Sequence, residues 1–219
     1  MRTNEELQRD VQNALKWEPL LHAAEIGVAV NSGVVTLTGM VDNYAKKSEA
    51  ESAAKNVLGV TAVIEKIEVH FAHTDKKEDS DIAPQVVNAL KWNWAVPSDH
   101  LKVKVENGWV TLEGQLNWLY QKEAAKKAVK NVDGVKGVLD LMIVKSESKD
   151  AIEQTDIEQA LSRNWSIDDK AVHVNVLGNN VTLKGTVHSL YQKEEAGRIA
   201  WKAPGVWDVD NQLRIEYNY

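Results

Sequence analysis

Lys122, Lys126 and Lys130 stand four residues apart behind Trp118, a spacing that aligns side chains along one stripe of an α-helix. A row of ammonium groups beside an indole suits anionic phospholipid headgroups, where each cation near a charged leaflet contributes about 1 kcal/mol. The same row also suits simple solvation of an exposed helix face. Lys127 adds a fourth cation, and Glu123 is the local counter-charge. Trp17, Trp92, Trp94 and Trp165 form a second set. An indole is apolar along its body and polar at its N–H, so these residues fit either the rim of a small core or a membrane interface, rim-capping being the simpler expectation.

For covalent or acid–base chemistry the sequence offers little. It contains no cysteine, which removes disulfides, thiolate nucleophiles and Cys-based metal sites. It contains no G-x-S-x-G, no G-x-x-x-x-G-K, no H-E-x-x-H and no calcium-loop spacing. His70, His73 and Asp75 are the nearest approach to a metal cluster, but nothing nearby supplies a fourth ligand. The carboxylate pairs Asp168-Asp169 and Glu194-Glu195 fall on turn or helix surfaces without a partner to hold one of them protonated. The expectation is a binding protein with no catalytic residues, metal or cofactor.

What positions these residues is a repeat. Asn13-Ala14-Leu15-Lys16-Trp17 recurs as Asn88-Ala89-Leu90-Lys91-Trp92, and Gly33-Val34-Val35-Thr36-Leu37-Thr38-Gly39 recurs as Gly108-Trp109-Val110-Thr111-Leu112-Glu113-Gly114. A third copy follows with Asn180-Val181-Thr182-Leu183-Lys184-Gly185, and Tyr191-Gln192-Lys193-Glu194 matches Tyr120-Gln121-Lys122-Glu123. Such in-register recurrence means one small unit used repeatedly. The predicted domains are residues 1–70, 81–145 and 152–219, with polar linkers at 71–80 and 146–151.

Each copy opens with an amphipathic helix, carried by Leu7, Val11, Ala14 and Leu15, by Ile82, Val86, Ala89 and Leu90, and in the third copy by Ile157, Ala160 and Leu161. Glu153 takes the first apolar position there, and Thr155 with Glu158 reads as a capping box, as Thr3 with Glu6 does in the first copy. Period-2 alternation follows in Ile26-Val28-Val30, Leu101-Val103-Val105 and Val172-Val174-Val176. A hairpin then leads to a second strand. A second helix from about Asn43, Trp118 or Ser189 runs to a C-capping glycine, Gly59, Gly134 or Gly205, and a closing strand completes an αββαβ unit. The predicted fold class is α+β: three tandem αββαβ domains, each a three-stranded mixed sheet with two helices on one face.

Strand parity predicts what each sheet displays away from its helices. The third copy shows His173, Asn175, Asn180, Thr182, Gln212 and Arg214, a polar face. At the corresponding positions the middle copy shows Lys102, Lys104, Trp109, Thr111, Leu141 and Ile143, an apolar patch with a basic margin. A patch of this kind marks an interface. The simpler expectation is that a neighbouring copy or a second chain covers it; the other is a ligand or membrane face.

The αββαβ unit, with G-x-V-T-L-x-G before its second helix and G-V-x-x-V at that helix's exit, resembles the BON domain, and the resemblance runs over nearly the whole chain three times. It implies phospholipid or membrane-surface binding and an association with osmotic stress. The expected partners are an anionic phospholipid surface or another protein, with homo-oligomer formation open. The alternatives are an interaction scaffold and a small-ligand or potassium sensor. A net charge of −6 argues against nucleic acid. The first residues lack a secretory signal, so the expected location is the cytoplasm, or the periplasm if a signal has been removed. The candidate binding residues are Trp109, Leu141, Ile143, Lys102, Lys104, Trp118, Lys122, Lys126, Lys130, Trp92 and Trp94.

Overall fold

The computed structural model describes residues 3–21, 25–71, 77–145 and 152–216. In the first copy α1 (Asn4–Trp17) precedes a hairpin of β1 (Ile26–Asn31) and β2 (Val34–Val41), then α2 (Tyr44–Lys55) and β3 (Ala62–Val69). The second copy repeats this as α3 (Asp79–Trp92), β4 (Leu101–Glu106), β5 (Trp109–Leu116), α4 (Leu119–Lys130) and β6 (Gly137–Val144). The third has α5 (Gln154–Ser162), β7 (Val172–Leu177), β8 (Asn180–Val187) and α6 (Leu190–Trp201), with a closing strand in two pieces, β9 (Asp208–Asn211) and β10 (Arg214–Ile215). This is the predicted α+β class in three tandem copies. α3 begins at Asp79, so the end of the stretch read as the first linker is helical.

Hydrophobic periodicity places these elements. In α3 the buried residues are Ile82, Val86 and Leu90, and in α4 they are Ala125 and Val129. They meet Val110, Leu112, Leu116 and Met142 of the sheet in one cluster. Each large apolar side chain withdrawn from water in this way contributes about 1.5–3 kcal/mol. The third copy builds its own cluster around Ile157, Leu161, Val181, Leu183, Ile199 and Leu213. In each copy the second strand is central, antiparallel to the first, while the third lies on its other side. In the second and third copies that last pairing is parallel.

Thr3 caps α1 as predicted: its Oγ1 accepts from the Glu6 N–H at 3.1 Å, and the Glu6 carboxylate accepts from the Thr3 N–H at 2.9 Å. The third copy departs from expectation. α5 begins at Gln154 with Glu153 as its N-cap residue, and no side chain makes a capping bond there. The predicted Thr155 box does not form because Thr155 is already inside the helix.

Two-residue turns join the hairpins. Ser32-Gly33 and Asn107-Gly108 all have positive φ, as a type I′ turn requires. Asp79 at the start of α3 clamps the second turn, its carboxylate accepting from Asn107 N–H at 2.7 Å and Gly108 N–H at 2.8 Å. Charge-assisted bonds of this kind contribute more than neutral ones. Asp79→Ala is therefore expected to cost about 1–2 kcal/mol, read as a lower urea midpoint at an unchanged m-value.

The repeated glycines divide into two kinds. Gly39, Gly114 and Gly185 are not turn residues. They lie on the second strands with φ of 138°, 151° and 120°, where a Cβ would overlap the carbonyl oxygen of Glu25, His100 or Ala171. Gly59 and Gly134, both at φ 90°, sit four residues beyond the last helical residue rather than at the immediate helix cap.

By its contacts the chain forms two compact units. One comprises residues 1–39, 48–67 and 148–219; the other comprises 40–47 and 68–147. In the first unit the Gly59 N–H donates to the His188 carbonyl at 2.9 Å, and Lys55 reaches Glu194 at 2.8 Å while also pairing with Glu51 at 2.9 Å. Burial acts to lower the Lys55 pKa, but the hydrogen bonds to Glu194 and Glu51 outweigh it and raise the pKa above the ordinary lysine value. The cation joining these helices is thus present at neutral pH and lost only as pH rises through that raised value.

Candidate binding surfaces

The structure distributes the predicted site residues over three separate places in the middle copy. On the sheet face away from the helices, strand register puts Trp109 opposite Gly137 and Glu106, Thr111 opposite Leu139 and Lys104, and Glu113 opposite Leu141 and Lys102. Trp109, Leu139 and Leu141 are half-exposed and Ile143 is more so. Leu139 belongs to this face and is absent from the sequence-derived set, although its position two residues before Leu141 places it there by parity.

The Trp109 ring lies over Gly137, where a Cβ would overlap its six-membered ring. Glycine is thus the residue that lets the indole lie flat on the sheet. In the same compact unit Lys47 stands over the Trp109 ring at 5.8 Å from its centroid, within cation–π range. Tyr44 packs against the cluster of the second copy. The first copy therefore touches this patch through Lys47 but does not cover it, since Trp109, Leu139, Leu141 and Ile143 stay 49–66% exposed. The basic margin is weaker than expected, because Lys104 pairs with Glu106 at 2.9 Å and Glu113 sits directly across from Lys102.

The lysine stripe is the second place. Lys122 turns toward the sheet edge, donating to the Met142 carbonyl at 2.6 Å and lying 3.3 Å from Asp140. Lys126 lies 3.6 Å from the other Asp140 oxygen. Lys130 is half-buried and Lys127 exposed. The stripe exists as a helical alignment, but two of its three cations are held by one carboxylate. That carboxylate is half-buried and also accepts from the Met142 N–H at 3.1 Å. The arrangement follows from the αββαβ unit, since Glu65 and Asn211 in the other copies likewise accept from the backbone two residues on. Trp118 is half-buried at the start of α4, where Gln121 accepts from the Asn117 and Trp118 N–H groups at 3.1 Å each.

The third place is the end of the first helix in each copy. Trp17 is 84% exposed, Trp92 88%, Trp94 93% and Trp165 96%. These values overturn the rim-capping expectation. The rim is instead closed by Leu21, Val96 and Ile167, all buried a few residues later, leaving the indoles to project into solvent. Leu20 is also exposed beside Trp17.

Of the other candidates, His70 pairs with Glu68 at 3.1 Å, while His73 and Asp75 lie outside the described residues. Among the described residues no three His, Asp or Glu side chains converge as a metal would require. No described helix is long and apolar enough to cross a membrane.

A family model for the BON domain matches residues 3–70, 78–146 and 149–217. The chain belongs to the BON domain family. Each matched span carries one αββαβ unit, and each has an exposed tryptophan at or just past its first helix, Trp17 aligning with Trp92 and Trp94 with Trp165. Among characterised relatives, osmotically-inducible protein Y of Escherichia coli (strain K12) is 34% identical over 132 residues, covering 58% of this chain and 66% of that protein. The match therefore spans just under two thirds of the relative's length. Among solved structures, two of CdsD, described as a structural protein of the type III secretion system of Chlamydia trachomatis, align with 16% and 15% identity. They cover 96% and 99% of this chain and 92% and 100% of theirs, at TM-scores of 0.26 and 0.27. Likeness that distant bears on neither the arrangement nor the role of this chain.

Proposed function

We propose that this protein is a non-enzymatic, osmotic-stress-associated binding protein that docks on phospholipid surfaces through the tryptophans at the ends of its first helices. The observation that carries this reading is the exposure of Trp17, Trp92, Trp94 and Trp165 at 84–96%. An indole left in water forgoes burial of about 150–250 Å² of surface, and the bilayer interface is where such rings are enriched. The likeness to a protein named for osmotic induction supports the stress association. With Lys122 and Lys126 engaged by Asp140, headgroup charge plays a smaller part than the lysine spacing suggested.

Co-sedimentation of the full chain with phosphatidylcholine vesicles, and with vesicles containing phosphatidylglycerol, tests this reading. Binding to both is expected, with a blue shift of tryptophan emission. Trp92→Ala together with Trp94→Ala should weaken it about tenfold and leave the circular dichroism spectrum unchanged, since both rings lie outside the core. Absence of sedimentation with either composition would defeat the lipid reading. A concentration-dependent mass increase removed by Leu141→Lys would instead favour self-association through the Trp109, Leu139, Leu141 and Ile143 face.

A further inference from the structure

The third BON domain contains a cleft of about 830 Å³ between α5 and α6, within the size range of small-ligand sites. Its origin is a change in the repeat. Leu7 and Ile82 are buried at the first apolar position of their helices, whereas Glu153 stands there in the third copy, exposed. The side chain that fills this space in the other two domains is therefore missing, and α5 is five residues shorter than α1 or α3.

The cleft has an apolar wall, including Ile157 and Ile199, and one charged group recessed within it. Glu195, expected from the sequence on a helix surface, is 6% exposed because α6 turns it inward toward Asn164 and Arg198. Its Oε2 accepts from the Arg198 guanidinium, including Nε at 2.7 Å, and its Oε1 accepts from Asn164 Nδ2 at 3.1 Å. A carboxylate oxygen can accept two bonds, and Oε1, on a residue that lines the cleft, accepts one from Asn164. The corresponding residue is Glu49 in the first domain and Ala124 in the middle one, so the middle domain folds without an acid at this position. The aromatic residues Trp165 and Tyr191 also line the cleft. Asp156 and Glu153 at the rim are exposed, as are the opposing Arg163 and Lys202, so the rim charges balance and the recessed Glu195 is the acid that distinguishes the cleft.

We infer that this cleft is a binding site for a small organic cation, an alkyl- or arylammonium whose charged nitrogen meets Glu195 and whose hydrocarbon body lies against Ile157, Ile199 and the ring of Trp165. Arg198 offsets part of the Glu195 charge, so the preference for a cation over a neutral or anionic isostere rests on a direct contact with Oε1 together with the aromatic side chains at the cleft. The site shares Trp165 with the vesicle-docking reading but not Glu195, so the Glu195 contact can fail or hold whatever the vesicles do.

The test uses the intact chain and phenethylammonium as probe, with 2-phenylethanol and phenylacetate as neutral and anionic counterparts, followed by amide and indole NMR shifts. Saturable shifts at Asn164, Trp165 and Tyr191 are expected with phenethylammonium, at least tenfold weaker with either counterpart. Glu195→Gln should weaken binding by tenfold or more. Because that change also disturbs the Arg198 pair, Trp165→Ala serves as a second variant: its ring is almost wholly exposed, so folding is unaffected, and binding should fall about threefold. Equal binding of the three probes, unchanged affinity in both variants, or no saturation at millimolar probe would overturn the assignment.

Discussion

Gly114→Ala is expected to remove about 3 kcal/mol or more from the middle BON domain and leave it largely unfolded. The position has φ 151°, which strains any residue with a side chain by about 1–3 kcal/mol. In addition the new Cβ would overlap the His100 carbonyl, a backbone atom at the entry to β4. A flexible side chain could swing away, but this carbonyl can move only if β4 shifts, and Gly114 is paired with Leu101 at that end of the hairpin. Domains of this size hold only about 0.05–0.15 kcal/mol per residue, so the loss consumes most of what is available. Gly178→Ala provides the contrast. Its φ is 61°, and an alanine Cβ there would have nothing within 4 Å, so only the left-handed cost of about 1–2 kcal/mol applies. Urea unfolding with hydrogen exchange resolved by domain reads both. A Gly114→Ala loss no larger than that of Gly178→Ala would refute the steric account.

The contrast between these glycines also shows what can be read from a sequence. That Gly39, Gly114 and Gly185 recur is visible there, and so is the fact that a Cβ is disfavoured. Their neighbours are not visible, because the carbonyl each one faces comes from the residue before the first strand, and only the antiparallel register brings it there. Periodicity reveals the fold because it reports one-dimensional order: Ile82, Val86 and Leu90 or Val103 and Leu112 need no partner to show which side is apolar. The candidate surfaces depend on pairing between elements. Strand parity correctly places Trp109, Leu141 and Ile143 on one face, and the same parity extends to Leu139. It does not reveal Lys47 over the Trp109 ring. Helical spacing aligns Lys122, Lys126 and Lys130 but carries no information about Asp140 on the strand they meet. The tryptophans are the opposite case, since an indole just past a helix end is compatible with burial or exposure, and only the packing of Leu21, Val96 and Ile167 decides. The cleft beside Glu195 is signalled in part by Glu153 in an apolar position, a local break of pattern of the sort expected at functional sites.

Asp140→Asn separates the two roles that meet at the lysine stripe. Asparagine keeps an Oδ1 able to accept from the Met142 N–H, so the backbone arrangement two residues downstream survives. What disappears is the charge facing Lys122 and Lys126. Asp140 is 17% exposed and Lys122 25%, against 50% for Lys126, so the Lys122 interaction is the less screened of the two. Lys122 still has the Met142 carbonyl at 2.6 Å, which limits the damage. The expected cost is therefore about 1–2 kcal/mol, between that of a surface pair and that of a fully buried one. At the same time the middle domain gains one net positive charge and its stripe loses its internal counter-ion. Binding to phosphatidylglycerol vesicles should then strengthen at low salt and fall more steeply as salt is raised, while binding to phosphatidylcholine stays as it was. Lower stability with unaltered phosphatidylglycerol binding would mean that these lysines serve the sheet edge alone, and that whatever lipid contact the protein makes belongs to its tryptophans.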